Sequence, residues 1–424
     1  MMALILFVSF IVLIFIGVPV AFSLGLSSLL YLFIEDIPLT IISQKLYVGI
    51  DSFVLLSIPG FILAGNLMNS GGITKRIIKF ANALLGFIRG GLSLANIAAS
   101  MIFAGISGTG LADTASLGAI LIPAMEEEGY EPEFATAVTA SSSTVGPVIP
   151  PSLPMIVAGT LTGVSVGKLF LAGALPGLLL GLGLMFVSYI ISVKRHHPKG
   201  KRNSFKYVWK SFTGAFWAIT VTLLILFGIL SGVFTPTEAS IAAVIYSIFI
   251  GKFIYKELKF KDLPRVITDS VQMTASIMIL VGFANLFAWI LASEQIPQLI
   301  ADLILSISSN KIIIILLINL LWLFVGTFME TIAALVILFP VLLPVATSVG
   351  LDPIQFGVMS VLNLSIGLTT PPVGVCLFVA SSIGKVSIAK ASKAVLPFLA
   401  VSIIVLLLVS FIPEISLYLP SLLD

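Results

Sequence analysis

The amino-acid sequence predicts an all-α polytopic membrane protein made of two inverted halves, each with one re-entrant hairpin and one broken helix. Three observations predict it. Of 424 residues, 58% are hydrophobic and 10% charged, against roughly 25% charged in an ordinary soluble domain, so the bilayer is the solvent. Apolar stretches of the roughly 20 residues needed to cross a bilayer recur along nearly the whole chain and leave no room for a separate water-soluble domain. Finally, a set of Gly and Pro residues recurs at one fixed offset between the two halves.

Taken in order, hydropathy with Gly and Pro as punctuation gives helices near 2–17, 19–34 and 53–69. The first has no preceding Lys or Arg and no small-residue cleavage site, so a retained helix is expected rather than a cleaved signal. Residues 73–89 carry Lys75, Arg76, Lys79 and Arg89 and suit a helix lying in the interface. The apolar region 92–126 is interrupted by Gly105-Ile-Ser-Gly-Thr-Gly110, and each part is too short to span, which predicts a re-entrant hairpin whose tip is buried or wetted. Residues 133–157 read as a crossing helix broken at Gly146-Pro147 and Pro150-Pro151, because proline lacks the backbone donor and clashes with the preceding turn. A helix at 168–193 ends in Lys194-Arg-His-His-Pro-Lys-Gly-Lys-Arg202.

The second half repeats the order. Helices near 212–231, 236–255 and 268–292 precede an amphipathic piece at 297–309. A second interrupted region, 311–347, has Gly326-Thr-Phe-Met-Glu-Thr331 at its middle; then come a helix broken at Thr369-Thr-Pro-Pro372 and a last helix at 394–416. The organisation is therefore a first repeat at 1–194, a basic linker at 195–210 and a second repeat at 211–424.

Gly129, Pro132, Gly146, Pro150 and Pro151 match Gly350, Pro353, Gly367, Pro371 and Pro372 at a constant offset of 221. Gly108-Thr109 likewise matches Gly326-Thr327, and Asp113 matches Glu330. With the linker cytoplasmic, 19 of the 22 Lys and Arg fall on the cytoplasmic side, the exceptions being Lys45, Lys168 and Lys311. Both termini are then outside, and the two hairpins enter from opposite sides.

Hairpin tips facing broken helices leave backbone groups without helical partners near mid-membrane. Half-helix N-termini suit an anion, and unwound carbonyls and hydroxyls suit a small hard cation. Ser107, Thr109, Ser141 to Thr144, Thr327, Asn363, Thr369 and Thr370 cluster at these breaks; oxygen-rich and free of thiolate, they fit sodium better than a transition metal. Ordinary close packing of small residues is the competing account. Asp113 and Glu330, costly charges in a membrane, either bind the cation or sit at half-helix N-termini that favour them. Glu238 in Phe234-Thr-Pro-Thr-Glu238 reads as part of a helix cap.

Other classes are excluded by what accompanies their motifs. Gly105-Ile-Ser-Gly108 fits the GxSG pattern of an intramembrane serine protease, but the only histidines, His196 and His197, lie in the basic loop and are expected to be solvated there. There is no His-Glu-x-x-His motif, and Cys376 is the one cysteine, so no enzyme and no cysteine-held metal are expected. The basic runs border membrane helices, where orientation and anionic lipid account for them without nucleic acid.

Four segments resemble the large membrane subunit of tripartite ATP-independent periplasmic (TRAP) transporters, the DctM-like family. They are Gly105-Ile-Ser-Gly-Thr-Gly-Leu-Ala-Asp113, Ser141-Ser-Ser-Thr-Val-Gly-Pro-Val-Ile-Pro-Pro-Ser152, Gly232-Val-Phe-Thr-Pro-Thr-Glu-Ala239 and Asn363-Leu-Ser-Ile-Gly-Leu-Thr-Thr-Pro-Pro-Val-Gly374. The resemblance covers essentially the whole chain; Gly110, where alanine is the expected small residue, is its one departure.

It implies an elevator-type sodium symporter of the ion-transporter superfamily, in the inner membrane of a bacterium or archaeon, that imports organic acids such as C4-dicarboxylates or sialic acids. It implies two partners: a separate four-helix DctQ-like membrane subunit and a DctP-like extracytoplasmic binding protein. Carried over by motif, one sodium lies among Ser107, Gly108, Thr109, Ser142 and Gly146, and a second among Gly326, Thr327, Glu330, Asn363, Gly367 and Thr370. The carboxylate sits between the tips, near Ser107, Thr109, Ser143, Thr327 and Thr369.

Overall fold

The structure, a computed structural model, describes residues 2–300 and 310–422, less the side chains of residues 2–4, 106 and 107. The first half runs α1 (Met2–Phe15), α2 (Val20–Ile34), α3 (Thr40–Ile50), α4 (Ser57–Ser70), α5 (Ile73–Leu85), α6 (Gly91–Ser107), α7 (Gly110–Glu127), α8 (Pro132–Ser143), α9 (Leu153–Thr162) and α10 (Val166–Lys194). The second half begins with α11 (Phe205–Leu230), α12 (Pro236–Phe249) with a π-helical extension (Ile250–Ile254), and α13 (Leu263–Ser293). It continues with α14 (Lys311–Gly326), α15 (Thr331–Ser348), α16 (Pro353–Gly367), α17 (Val375–Ile383), α18 (Ile388–Phe411) and α19 (Glu414–Leu417). Among the described residues the only extended pairing is an isolated antiparallel bridge between Arg89 and Lys199.

By length and composition, six helices among the described residues are long and apolar enough to cross a membrane: Val166–Lys194, Phe205–Leu230, Pro236–Ile254, Phe260–Ser293, Thr331–Ser348 and Ile388–Phe411. The arms flanking Gly108 and Thr327 have 17, 18, 16 and 18 residues. Of these α15 alone is long and apolar enough to cross; its two internal prolines, Pro340 and Pro344, leave the helix continuous.

Several bounds move from the sequence reading. α3 falls where no helix is expected: it mixes polar and apolar residues and buries none of them, so it leaves no periodic apolar stripe to read. α11 starts inside the 195–210 linker because Ser204 caps it, its hydroxyl oxygen accepting from the Tyr207 amide at 3.3 Å. The last long helix begins at Ile388, six residues early, and stops at Phe411 before Pro413. Most of the amphipathic piece at 297–309 lies outside the described residues.

Two packed groups result. In one, α2, α3 and α4 lie on α13, α4 also lies on α12, and α11 packs on α12 and α5. In the other, α7 packs on α8, α8 on α18 and α17, α10 on α18 and α16, α9 on α15, and α14 on α16. The groups meet where α4, α5 and α11 touch α6 and where α13 touches α15, among other contacts. At the end of α10 the chain is stapled to the turn between α5 and α6: Gly90 N–H donates to the Pro198 carbonyl at 2.9 Å, and Gly200 N–H to the Gly86 carbonyl at 3.1 Å.

The same corner splits the histidine pair expected to be solvated: His196 is exposed, and His197 is not. His197 is 4% exposed. Its ring lies 4.8 Å from that of Tyr130 and 4.6 Å from that of Phe134, with Nε2 2.7 Å from Glu131 Oε2 and Nδ1 3.1 Å from Ser192 Oγ. Aromatic faces and a carboxylate 66 residues upstream replace water as its surroundings.

Candidate functional site

The helix breaks are built from local chemistry. At the first tip, α6 ends where Gly108 turns left-handed (φ 61°), and Thr109, in extended backbone, caps α7 by accepting from the Ala112 amide at 3.4 Å. At the second tip, α14 ends at Gly326, and Glu330 caps α15, its carboxylate accepting from the Ile332 and Ala333 amides at 2.8 and 3.3 Å. The broken helices stop at Ser143 and Gly367 and resume at Leu153 and Val375, across segments holding Pro147, Pro150 and Pro151 in one and Pro371 and Pro372 in the other. Ser152 caps the resumed α9, its oxygen 3.2 Å from the Met155 nitrogen. Pro150-Pro151 and Pro371-Pro372 are both cis.

Each tip touches the broken helix of its own half, at glycines. A Cβ on Gly367 would lie 2.6 Å from Gly326 Cα, so the two backbones are in contact, and Gly374 N–H donates to the Thr327 carbonyl at 2.9 Å. In the first half a Cβ on Gly146 would lie 2.7 Å from Asp113 Oδ2, and one on Gly110 would lie 3.0 Å from the Ser143 carbonyl oxygen. Gly108 lies against the backbone of Pro151 and Leu153 in the same way. Asp113 is enclosed, whereas Glu330, its counterpart, is exposed at the protein surface.

The hydroxyls here share one habit. Thr327 donates to the Phe324 carbonyl (2.8 Å), Thr369 and Thr370 to that of Ile366 (3.0 and 2.9 Å), and Ser143 to that of Thr139 (2.8 Å). A hydroxyl whose hydrogen goes to its own helix keeps its oxygen lone pairs for something else. Ser142 differs: its oxygen accepts from Ser100 at 2.9 Å and it reaches the Thr139 carbonyl and Asn96 Oδ1 at 3.1 and 3.5 Å, so it faces the body of α6. The Ser107 side chain lies outside the described residues.

Asn363 is buried and donates through Nδ2 to Asn319, to Oδ1 at 2.8 Å and to the carbonyl at 3.0 Å. Asn96, Ser100 and Asn319 thus hydrogen-bond to candidate residues, with Ser410 behind Asn319, though the sequence reading passed over all four. The available signal was an amide in an apolar run: Asn319 is the one polar side chain between Lys311 and Gly326. Among the described residues no three His, Cys, Asp or Glu side chains gather; the oxygens at the breaks are hydroxyls, amides and carbonyls. A cleft of about 680 Å³ lies between the two helix groups, lined by Ser52, Thr160, Lys168, Ile229 and Phe234 among others.

Among the described residues the secondary structure is helical, and these spans are those of a polytopic membrane protein. The chain aligns with the YdaH transporter of Alcanivorax borkumensis at a TM-score of 0.63, with 15% identity, over 92% of this chain and 90% of that one. The chain belongs to the family described as tripartite ATP-independent periplasmic transporter, DctM component, whose model matches residues 7–415. It is 43% identical to the sialic acid TRAP transporter large permease protein SiaM of Vibrio cholerae, over 97% of this chain and 96% of that protein. It is 37% identical to the C4-dicarboxylate TRAP transporter large permease protein DctM of Rhodobacter capsulatus, over the full length of both. It is therefore a secondary transporter permease and not an enzyme, a multi-pass inner-membrane protein that forms one component of a tripartite system.

Proposed function

We propose that this permease carries an organic acid inward with sodium, moving one helix group against the other in an elevator cycle. The observation that carries the reading is the backbone contact of each glycine tip with the broken helix of its own half, at Gly326 with Gly367 and at Gly108 with the 151–153 segment. Glycine at such a contact lets unpaired carbonyls and amides of both segments converge on one small ligand. The constant offset of 221 and the lopsided Lys and Arg distribution support reading the halves as inverted repeats with re-entrant hairpins and both termini outside. Sodium is the cation this oxygen chemistry favours, held by Gly108, Thr109 and Gly146 in one half and by Thr327, Asn363, Gly367 and Thr370 in the other, with the carboxylate between Thr109, Ser143, Thr327 and Thr369.

The names of the relatives support an organic-acid solute, since sialic acid and C4-dicarboxylates both carry carboxylates. They also support delivery by a DctP-like binding protein and pairing with a DctQ-like four-helix subunit. In proteoliposomes holding the full tripartite system, Thr327→Ala and Thr109→Ala are expected to raise the sodium concentration needed for half-maximal uptake by roughly tenfold, the scale of a lost hydrogen-bond-strength contact to a charged group. Sodium titrations unchanged in both variants would remove these residues from the site. Uptake that persists without the binding protein would favour a carrier that works alone.

A further inference from the structure

The second half fixes the hydrogen-bond direction around Asn363 without ambiguity. Ser410 on α18 donates its hydroxyl hydrogen to the Leu406 carbonyl at 2.8 Å, so its oxygen can only accept, and it does so from Asn319 Nδ2 at 3.0 Å. That turns Asn319 Oδ1 toward α16, where it and the Asn319 carbonyl take the Nδ2 hydrogens of Asn363. An amide has two N–H donors and one carbonyl oxygen. With both donors committed, Asn363 is left with Oδ1, which is enclosed and has no hydrogen-bond partner among the described residues.

A buried acceptor without a donor is costly unless a cation meets it. Asn363 sits one helical turn before Gly367, on the face of α16 that meets Gly326, and its bonds to Asn319 place its amide in the α14–α16 seam, one turn from that glycine contact. The first half carries a related chain. Thr139 donates to the Ala135 carbonyl at 2.9 Å and accepts from Asn96 Nδ2 at 2.7 Å, which turns Asn96 Oδ1 toward Ser142, the counterpart of Asn363.

We propose that Asn319, backed by Ser410, is a positioning residue that holds the Asn363 amide with its carbonyl oxygen aimed at a sodium ion in the seam between α14 and α16. Asn319 touches no ion itself; it acts by occupying both donors of Asn363. The inference rests on the sodium reading and adds to it the atom that binds and the residue that aims it.

The test is equilibrium binding of radioactive sodium to the purified full chain, with melting temperatures in equal concentrations of NaCl and KCl as a second readout. Asn319→Leu, similar in volume but without acceptors, is expected to weaken sodium binding about tenfold or more, the factor a lost contact to a charged group carries. It should also shrink the melting difference between the two salts. Asn319→Asp keeps two acceptor oxygens for Asn363 and is expected to restore most of the sodium effect, which a merely structural role would not do. Ser410→Ala, milder for folding, frees the Asn319 amide to turn and is expected to weaken binding two- to fivefold, an order-of-magnitude figure for one neutral hydrogen bond. Sodium binding unchanged in Asn319→Leu and Ser410→Ala, or an Asp variant as impaired as the Leu variant, would overturn the proposal alone. A native chain that shows no preference for sodium over potassium would overturn the sodium reading and the proposal together.

Discussion

Glu131 joins two groups at the end of α10: its carboxylate lies 2.7 Å from His197 Nε2 and 3.5 Å from the Arg195 guanidinium, and it precedes the proline that opens α8. Burial raises the cost of its charge, but the His197 hydrogen bond, a backbone hydrogen bond and the positive charges of His197 and Arg195 outweigh that and hold its carboxyl below the ordinary value. A depressed carboxyl contributes stability that is present above its unfolded value and is lost as pH falls through the folded one. Glu131→Ala is therefore expected to lower thermal stability at pH 7 by about 1–3 kcal/mol, since it strips the partner from an enclosed ring nitrogen. The gap between native and variant should narrow steadily as the medium is taken below pH 4.5, the ordinary glutamate range. A gap that is constant across that range would assign the loss to packing alone. None of this was legible in the sequence, where His197 stands among six cations and Glu131 is far upstream; only the fold supplies the Tyr130 and Phe134 rings that displace water.

Helix ends were the most readable elements where a side chain both caps and announces the cap. Thr235 and Glu238 form a reciprocal capping box: Thr235 Oγ1 accepts from the Glu238 amide at 3.3 Å, and Glu238 accepts from the Thr235 amide at 2.8 Å, with Pro236 in the first turn. That follows from four consecutive residues and needs no tertiary information. Thr235→Ala is expected to cost about 1 kcal/mol, with Thr235→Ser close to native, measured as melting temperature of the purified chain; equal losses in both variants would mean that the threonine methyl matters and the cap does not. The breaks at 144–152 and 368–374 were legible for the same reason, since proline's missing donor acts locally. Helix α3 was not, because a helix that buries no side chain carries no periodic stripe, and the early start of α11 was masked by the cations of the linker. At the candidate site the glycines and threonines of the tips could be named in advance; an amide in an apolar run marked Asn319 as unusual, but the roles of Asn96 and Asn319 depend on which helices lie beside theirs.

On the scale of the molecule, the elevator reading requires the two helix groups to slide, and a tight contact between them offers a place to stop them. Gly105 near the end of α6 faces Thr222 of α11 across the boundary: a Cβ on Gly105 would lie 3.1 Å from the Thr222 Cβ. That is slightly shorter than the roughly 3.5–4.5 Å of a disulfide, so a small shift would let a cysteine pair close. In a Cys376→Ser background, which removes the single native thiol, oxidising Gly105→Cys with Thr222→Cys is expected to abolish uptake by the tripartite system, and reduction to restore it. The control lies within one group. Ser93 and Ser188, whose hydroxyl oxygens are 2.8 Å apart, join α6 to α10, and the same pair of cysteines there is expected to leave uptake close to the reduced level. Motion of one group against the other predicts opposite outcomes for the two cross-links, whereas gating by the hairpin tips alone would leave both proteins active. Loss of uptake in the Ser93–Ser188 pair as well would mean that α6 moves relative to α10, and that the mobile unit is the first hairpin by itself.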